Sequence, residues 1–150
     1  MRTWLCAFVL TTAVASPVLA GPEEEALQVV AKWAAAFRAS DVDAIVALYA
    51  PDAMFIGTGS QTVVLKTDEI RQYFERALLR DRPRGAVLES HSATALSDGA
   101  VIITGLDTTT AVRDGKTMNS HGRVTFVIAR RGAEWKIVHF HRSAMPGRPN

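Results

Sequence analysis

Cysteine is nearly absent from this sequence: Cys6 is the single example in 150 residues. One thiol cannot close an intrachain disulfide or supply a cysteine-based metal site. Charge of one sign is also lacking. Lys and Arg number 17 against 15 Asp and Glu, a net +2, which gives no electrostatic footprint for nucleic acid. Arg80, Arg82 and Arg84 around Pro83 form the one basic cluster. No aromatic residues interleave with them as base stacking would require, so the cluster reads as a solvated loop. Glycine-rich nucleotide fingerprints are missing too. Gly57-Thr58-Gly59 lacks the following Lys-Ser/Thr and helix of a phosphate loop, and no serine sits on a strand-turn-helix elbow. What remains is 48% hydrophobic and 21% charged, without repeats, in the range of one globular domain.

The first twenty residues have a different character. Arg2 precedes an apolar run broken by Thr11, Thr12, Ser16 and Pro17, short for a bilayer span. Val18 and Ala20 occupy the small-residue positions a signal peptidase needs. We therefore expect a signal peptide over 1–20, a mature domain over 21–150 and a periplasmic or secreted location. No stable membrane association is expected after cleavage. Cys6 departs with the leader, and loss of Arg2 leaves 16 basic residues against 15 acidic ones.

From Glu23 to about Ala39 the apolar residues Leu27, Val30, Ala34 and Phe37 recur at helical spacing, with Trp33 beside them. Glu23, Glu24 and Glu25 suit a helix N-terminus. Ser40 reads as the N-cap of a second short helix ending near Tyr49, and Pro51-Asp52 breaks it. Ala53 to Ile56 reads as a short strand. Thr67 opens a third helix, with Ile70, Tyr73, Phe74, Ala77 and Leu78 on one face, and it stops before Pro83. Four β-rich stretches follow, near 86–96, 99–112, 117–129 and 134–143, divided by Ser97-Asp98-Gly99, Asp114-Gly115 and Arg131-Gly132. Three helices and then a meander of long strands predict an α+β fold, with a strongly curved antiparallel sheet wrapping the helices.

Alternation along the last strand places Trp135, Ile137, His139 and His141 on one face, and Lys136, Val138, Phe140 and Arg142 on the other. Large apolar residues on both faces predict cover on both, by the helices on one and a second subunit on the other. The preceding strand sets Val124, Phe126 and Ile128 against Thr125 and Val127. A homodimer or larger homo-oligomer is therefore expected, with His139 and His141 at the interface. His121, Arg123 and Asn119, in phase on one strand, are candidates for the same patch.

The stretch Val138-His-Phe-His-Arg-Ser-Ala-Met-Pro146, preceded by Trp135, resembles the end of the association (hub) domain of calcium/calmodulin-dependent protein kinase II. Ser40 to Asp52 is similar to that domain's second-helix region, and Tyr73-Phe74-Glu75 to its third helix. Arg123 to Val127 also resembles a stretch common in bacterial secreted and enediyne-cluster relatives. All belong to the nuclear transport factor 2-like (SnoaL-like) superfamily. The resemblance implies a cone of bent sheet around three helices, assembly through the outer sheet face, and an inner pocket for a small organic ligand. In the hub, arginines of that pocket hold a carboxylate. Arg142 matches one of them, while Asp107 and Phe126 stand where the others would be, which makes the implied pocket less cationic. Tyr49, Tyr73, Trp33 and Phe55 are candidate walls.

Asp107 opposite Arg142 predicts an ion pair, because an unpaired charge at that depth is costly. Superfamily enzymes commonly use an Asp or His in the cone as general base, so Asp107 is also the candidate catalytic residue of a cofactor-independent isomerase, hydrolase or lyase. An adjacent arginine keeps an aspartate ionised and makes it a poor base unless substrate separates the two. His139 and His141 share a face and permit chelation, but a third ligand would have to come from His91 or His121, so no metal is assigned. No cofactor is expected. A purely structural oligomerisation module is the third possibility.

Overall fold

The computed structural model describes residues 21–147; the expected signal peptide over 1–20 lies outside the described residues. The first helix, α1 (Pro22–Ala39), starts with proline, whose missing N–H costs nothing there, and carries the three glutamates in its first turn. Ala26, Val29, Val30, Trp33, Ala36 and Phe37 form its buried face. Leu27 and Ala34, expected at its centre, lie only partly buried beside it.

Ser40 does not open the second helix. It adopts a left-handed conformation (φ 52°) and closes α1, its N–H bonded to Phe37 O and that of Asp41 to Ala36 O. The N-cap is Asp41, whose Oδ1 accepts from Ala44 N at 2.9 Å, and α2 (Val42–Val46) is one turn shorter than expected. Tyr49 instead begins a strand, β1 (Tyr49–Ile56). Pro51 sits inside it without breaking it, because β1 is an edge strand and Pro51 falls between the Tyr49 and Met54 pairings, where the ladder to β5 is interrupted.

Helix α3 (Thr67–Leu78) buries Ile70, Phe74 and Leu78. The remaining strands are β2 (Gly85–Ser97), β3 (Ala100–Arg113), β4 (Lys116–Arg131) and β5 (Glu134–Ala144). They match the four expected stretches to within about two residues. The sheet has the order β1-β5-β4-β3-β2. It is mixed, not wholly antiparallel as expected, because β1 runs parallel to β5. The three hairpins set β5 antiparallel to β2, and the crossover through α3 brings β1 in antiparallel to β2 and so parallel to β5. Nor is the sheet strongly curled, although length in β2 to β5 argued for it. β-Bulges interrupt its ladder instead, at Glu89 and Leu96 in β2 and at Val138 in β5.

The bulge in β5 corrects the face assignment. Val127 pairs with His139 and Ile128 with Ile137, so Val138 is an extra residue and the alternation changes phase there. Ile137, Phe140 and Arg142 are all buried on the helix side. Trp135 also turns inward, where its indole N–H donates to Glu25 Oε2 of α1. His139 and His141 stay on the outer face, without the two large apolar neighbours that strict alternation gives them.

Between helices and sheet lies a cluster of aromatic rings. Phe140 stacks on Trp33 at 5.5 Å and on Phe55 at 5.1 Å between centroids, and Phe126 meets Trp33 edge-on at 5.6 Å. Such offset and edge contacts add about 0.5–1.5 kcal/mol per pair beyond burial. No helix among the described residues is long and apolar enough to cross a membrane.

Candidate functional site

Arg142 is a charged residue placed in this core, with its side chain 7% exposed. It stands on β5 and reaches across β4 to Asp107 on β3, whose side chain is 6% exposed. The crossing is possible because Gly122, the β4 residue between them, has no side chain. A β-carbon at Gly122 would lie 2.6 Å from both the guanidinium carbon and Asp107 Oδ1. Arg142 Nε donates to Oδ2 at 2.7 Å and to Oδ1 at 3.0 Å. Nη1 donates to Thr58 Oγ1 at 2.8 Å and Nη2 to the Ser120 carbonyl at 2.7 Å. A buried pair repays its desolvation only when such extra hydrogen bonds complete it. Of the five guanidinium N–H groups, three are engaged and two are left.

Beside this pair a cavity of about 210 Å³ opens between α1, α3 and the sheet. Its walls are the rings of Trp33, Phe37, Tyr73, Phe74 and Phe140, with Ala77. Its polar groups are Arg142, Arg84, Thr58, Thr109 and Ser120. Among the described residues no carboxylate lines it. Burial raises the pKa of the Tyr73 phenol, against the opposing pull of the Gly59 backbone and of Arg142, so the wall stays uncharged there at neutral pH.

Of the residues expected at a pocket, Arg142, Trp33 and Tyr73 line this cavity. The others sit elsewhere. Phe55 is fully buried core. Tyr49 lies beneath the wall, accepting the Trp33 indole N–H at 3.0 Å, and burial pushes its pKa well above the ordinary phenol value. Phe126 and Asp107 border a separate crevice of about 20 Å³, room for little more than a water. Asp107 therefore touches the cavity only through Arg142. With both carboxylate oxygens on one N–H of that arginine, it is not placed to take a proton from a molecule in the cavity.

Arg84 was missed by the sequence reading, which put it in a solvated loop. The segment between α3 and β2 is pinned to the end of β3: Arg113 donates twice to Asp81, at 2.6 and 3.1 Å, and Val112 N to Asp81 O. This anchoring turns Arg84 inward, with its guanidinium 5.7 Å from the centre of the Phe37 ring. Its Nε is buried without a hydrogen-bond partner among the described residues. No local pattern separates Arg84 from Arg80 and Arg82. Thr58, Thr109 and Ser120 were equally invisible, since polar residues in a loop and on long strands carry no mark of the cavity they border.

His139 and His141 lie on the outer face beside Val127 and Thr125. His121 and Arg123 lie on the same face of β4, exposed, as does Asn119. His121 Nδ1 is 2.7 Å from Thr108 Oγ1, which in turn bonds Glu89. Burial lowers the His139 pKa, helped by nearby His141, and the His139 Nδ1 is buried without a partner. Among the described residues no three His, Cys, Asp or Glu side chains are grouped to hold a metal ion.

Residues 26–147 match the family model of the SnoaL-like domain. A solved structure provisionally assigned as a calcium/calmodulin dependent protein kinase II association domain, from Xanthomonas campestris, is 29% identical. The match covers 93% of this chain and 99% of that one, with a TM-score of 0.78. An NTF2-like superfamily protein from Salmonella enterica shares the fold at 19% identity, 85% and 94% coverage and a TM-score of 0.74. An NTF2-like protein of unknown function from Pseudomonas putida shares it at 21% identity, 84% and 88% coverage and a TM-score of 0.74. No curated protein matches the chain. An α+β layer of helices on a mixed five-stranded sheet, with a matching family model over most of its length, makes this chain a member of the SnoaL-like, NTF2-like family.

Proposed function

We propose that this is an exported, self-associating NTF2-like domain that binds a small organic molecule in the cavity between α1, α3 and the sheet. The observation that carries it is the cavity's make-up: five aromatic rings around a polar end anchored by Arg142, held by bonds that fix its guanidinium. Apolar walls with a few convergent polar groups are the usual design of a ligand site. At about 210 Å³ it falls below the roughly 300–1,000 Å³ of drug-sized pockets, so the ligand is small. Catalysis by Asp107 finds less support, because its oxygens are spent on Arg142 and it does not line the cavity.

Self-association is supported by the row Ile102, Val127 and His139, which are cross-strand partners on the sheet face that no helix among the described residues covers. A second copy seated there would supply a hydrogen-bond partner for the orphaned His139 Nδ1. Export is supported by the leader-like residues 1–20.

Native mass spectrometry of the chain from Gly21 onward, followed by denaturing release, tests the proposal. An oligomer that releases one discrete small molecule is the expected result. An empty cavity that takes up no small molecule on later titration overturns the binding function, and a monomer overturns the role of the outer face. A purified precursor that keeps residues 1–20 after expression in a bacterium with signal peptidase overturns export.

A further inference from the structure

Taking the cavity as a binding site, as proposed above, we infer that its ligand is a small organic acid and that Arg84, not the strand arginine Arg142, receives the carboxylate. Among the described residues two cations line the cavity and no carboxylate does. Their situations differ. Arg142 is neutralised by Asp107 and tied at all three nitrogens, to Asp107, Thr58 and Ser120. Arg84 has no carboxylate within 4 Å among the described residues and no partner for its buried Nε. The one carboxylate in its own loop, Asp81, is held by Arg113.

An arginine in this state has its charge and its fork of donors unspent. A guanidinium fork matches a carboxylate in shape and binds it with two parallel N–H···O bonds. The site therefore carries one uncompensated positive charge, and a monoanion balances it. The remaining wall selects the body of the molecule. Trp33, Phe37, Tyr73, Phe74 and Phe140 offer ring faces and edges, so a single ring or a short branched chain fits beside the carboxylate. Burial also lowers the Arg84 pKa, against the attraction of Asp81, the direction expected of a half-buried cation with no carboxylate in direct contact. The resemblance to the hub domain implied a pocket short of arginines at the strand positions, and on the strands that is so. The loop between α3 and β2 supplies the missing charge from another direction.

The test compares benzoate with benzamide, which has nearly the same shape and no charge, by isothermal titration calorimetry on the chain from Gly21 onward. The expected result is binding of one benzoate per chain, at least about tenfold tighter than benzamide. Arg84→Gln should remove the preference for benzoate over benzamide, while Arg84→Lys should keep part of it. An unchanged urea midpoint for Arg84→Gln shows that the variant is folded. Equal affinity of the native chain for both probes, or an unaltered preference in Arg84→Gln, overturns the assignment of Arg84. Failure of both probes to bind at millimolar concentration overturns the binding function itself.

Discussion

Gly122 and Arg142 share one space: a β-carbon on the glycine would sit 2.6 Å from the guanidinium carbon that crosses above it. The ion pair between β5 and β3 thus depends on a missing side chain on β4. Gly122→Ala should displace a guanidinium tied down by several bonds and cost about 1–3 kcal/mol, as overpacking does. Urea titration measures it as a lower midpoint at unchanged slope. In an Asp107→Leu, Arg142→Met background the same substitution should cost much less, because the atoms it strikes are gone. Equal costs in the two backgrounds would show that the clash lies elsewhere.

The pair itself should behave as buried pairs do when broken and when replaced. Asp107→Asn leaves Arg142 charged and buried with a weaker acceptor, and a loss approaching 3–5 kcal/mol, about the usual penalty, is expected. The double substitution to Leu and Met should recover most of that loss. It should also weaken any ligand that uses the two spare Arg142 donors. A double variant less stable than Asp107→Asn would mean that the bonds to Thr58 and Ser120 outweigh the charge pairing.

Trp33 and Tyr49 carry a second buried polar contact. Tyr49→Phe keeps the ring but leaves the indole N–H of Trp33 without its acceptor at 3.0 Å. A buried donor stripped of its partner costs about 1–3 kcal/mol. Because Trp33 also walls the cavity, its fluorescence should shift in the variant and lose part of its response to ligand. A stability change near zero would mean that water takes the place of the phenol.

The elements of this fold were legible because each obeys a local rule. Proline and glutamates mark the start of α1, and Asp98-Gly99, Asp114-Gly115 and Arg131-Gly132 divide the strands. The errors arose where a rule had two solutions. Ser40 and Asp41 are both good caps, and only the left-handed turn at Ser40 shows which one opens α2. Strict alternation put Ile137 with His139, because a bulge at Val138 leaves no trace in an apolar run. Resemblance to the hub singled out both Arg142 and the position of Asp107, and their pairing followed from the cost of a lone buried charge. Arg84 has no such logic. Its inward turn follows from the Asp81–Arg113 contact, made by residues 32 positions apart.

His139 gives the molecule a pH dependence whose sign can be worked out. Burial lowers its pKa below the ordinary 6.5 in the folded chain, and nearby His141 adds to the effect. In the unfolded chain it returns to about 6.5. Between the two values the unfolded state binds more protons, so stability rises with pH across that window. The contribution is fully present above about 6.5 and is lost as pH falls through the folded value. Denaturation at a series of pH values from 7.5 to about 5 should therefore show decreasing stability, and His139→Gln should flatten the curve in that window. If the outer face seats a second copy, protonation there also burdens the interface, and the oligomer should dissociate over the same range. A His139→Gln variant with the slope of the native chain would transfer the effect to other groups and leave His139 a bystander.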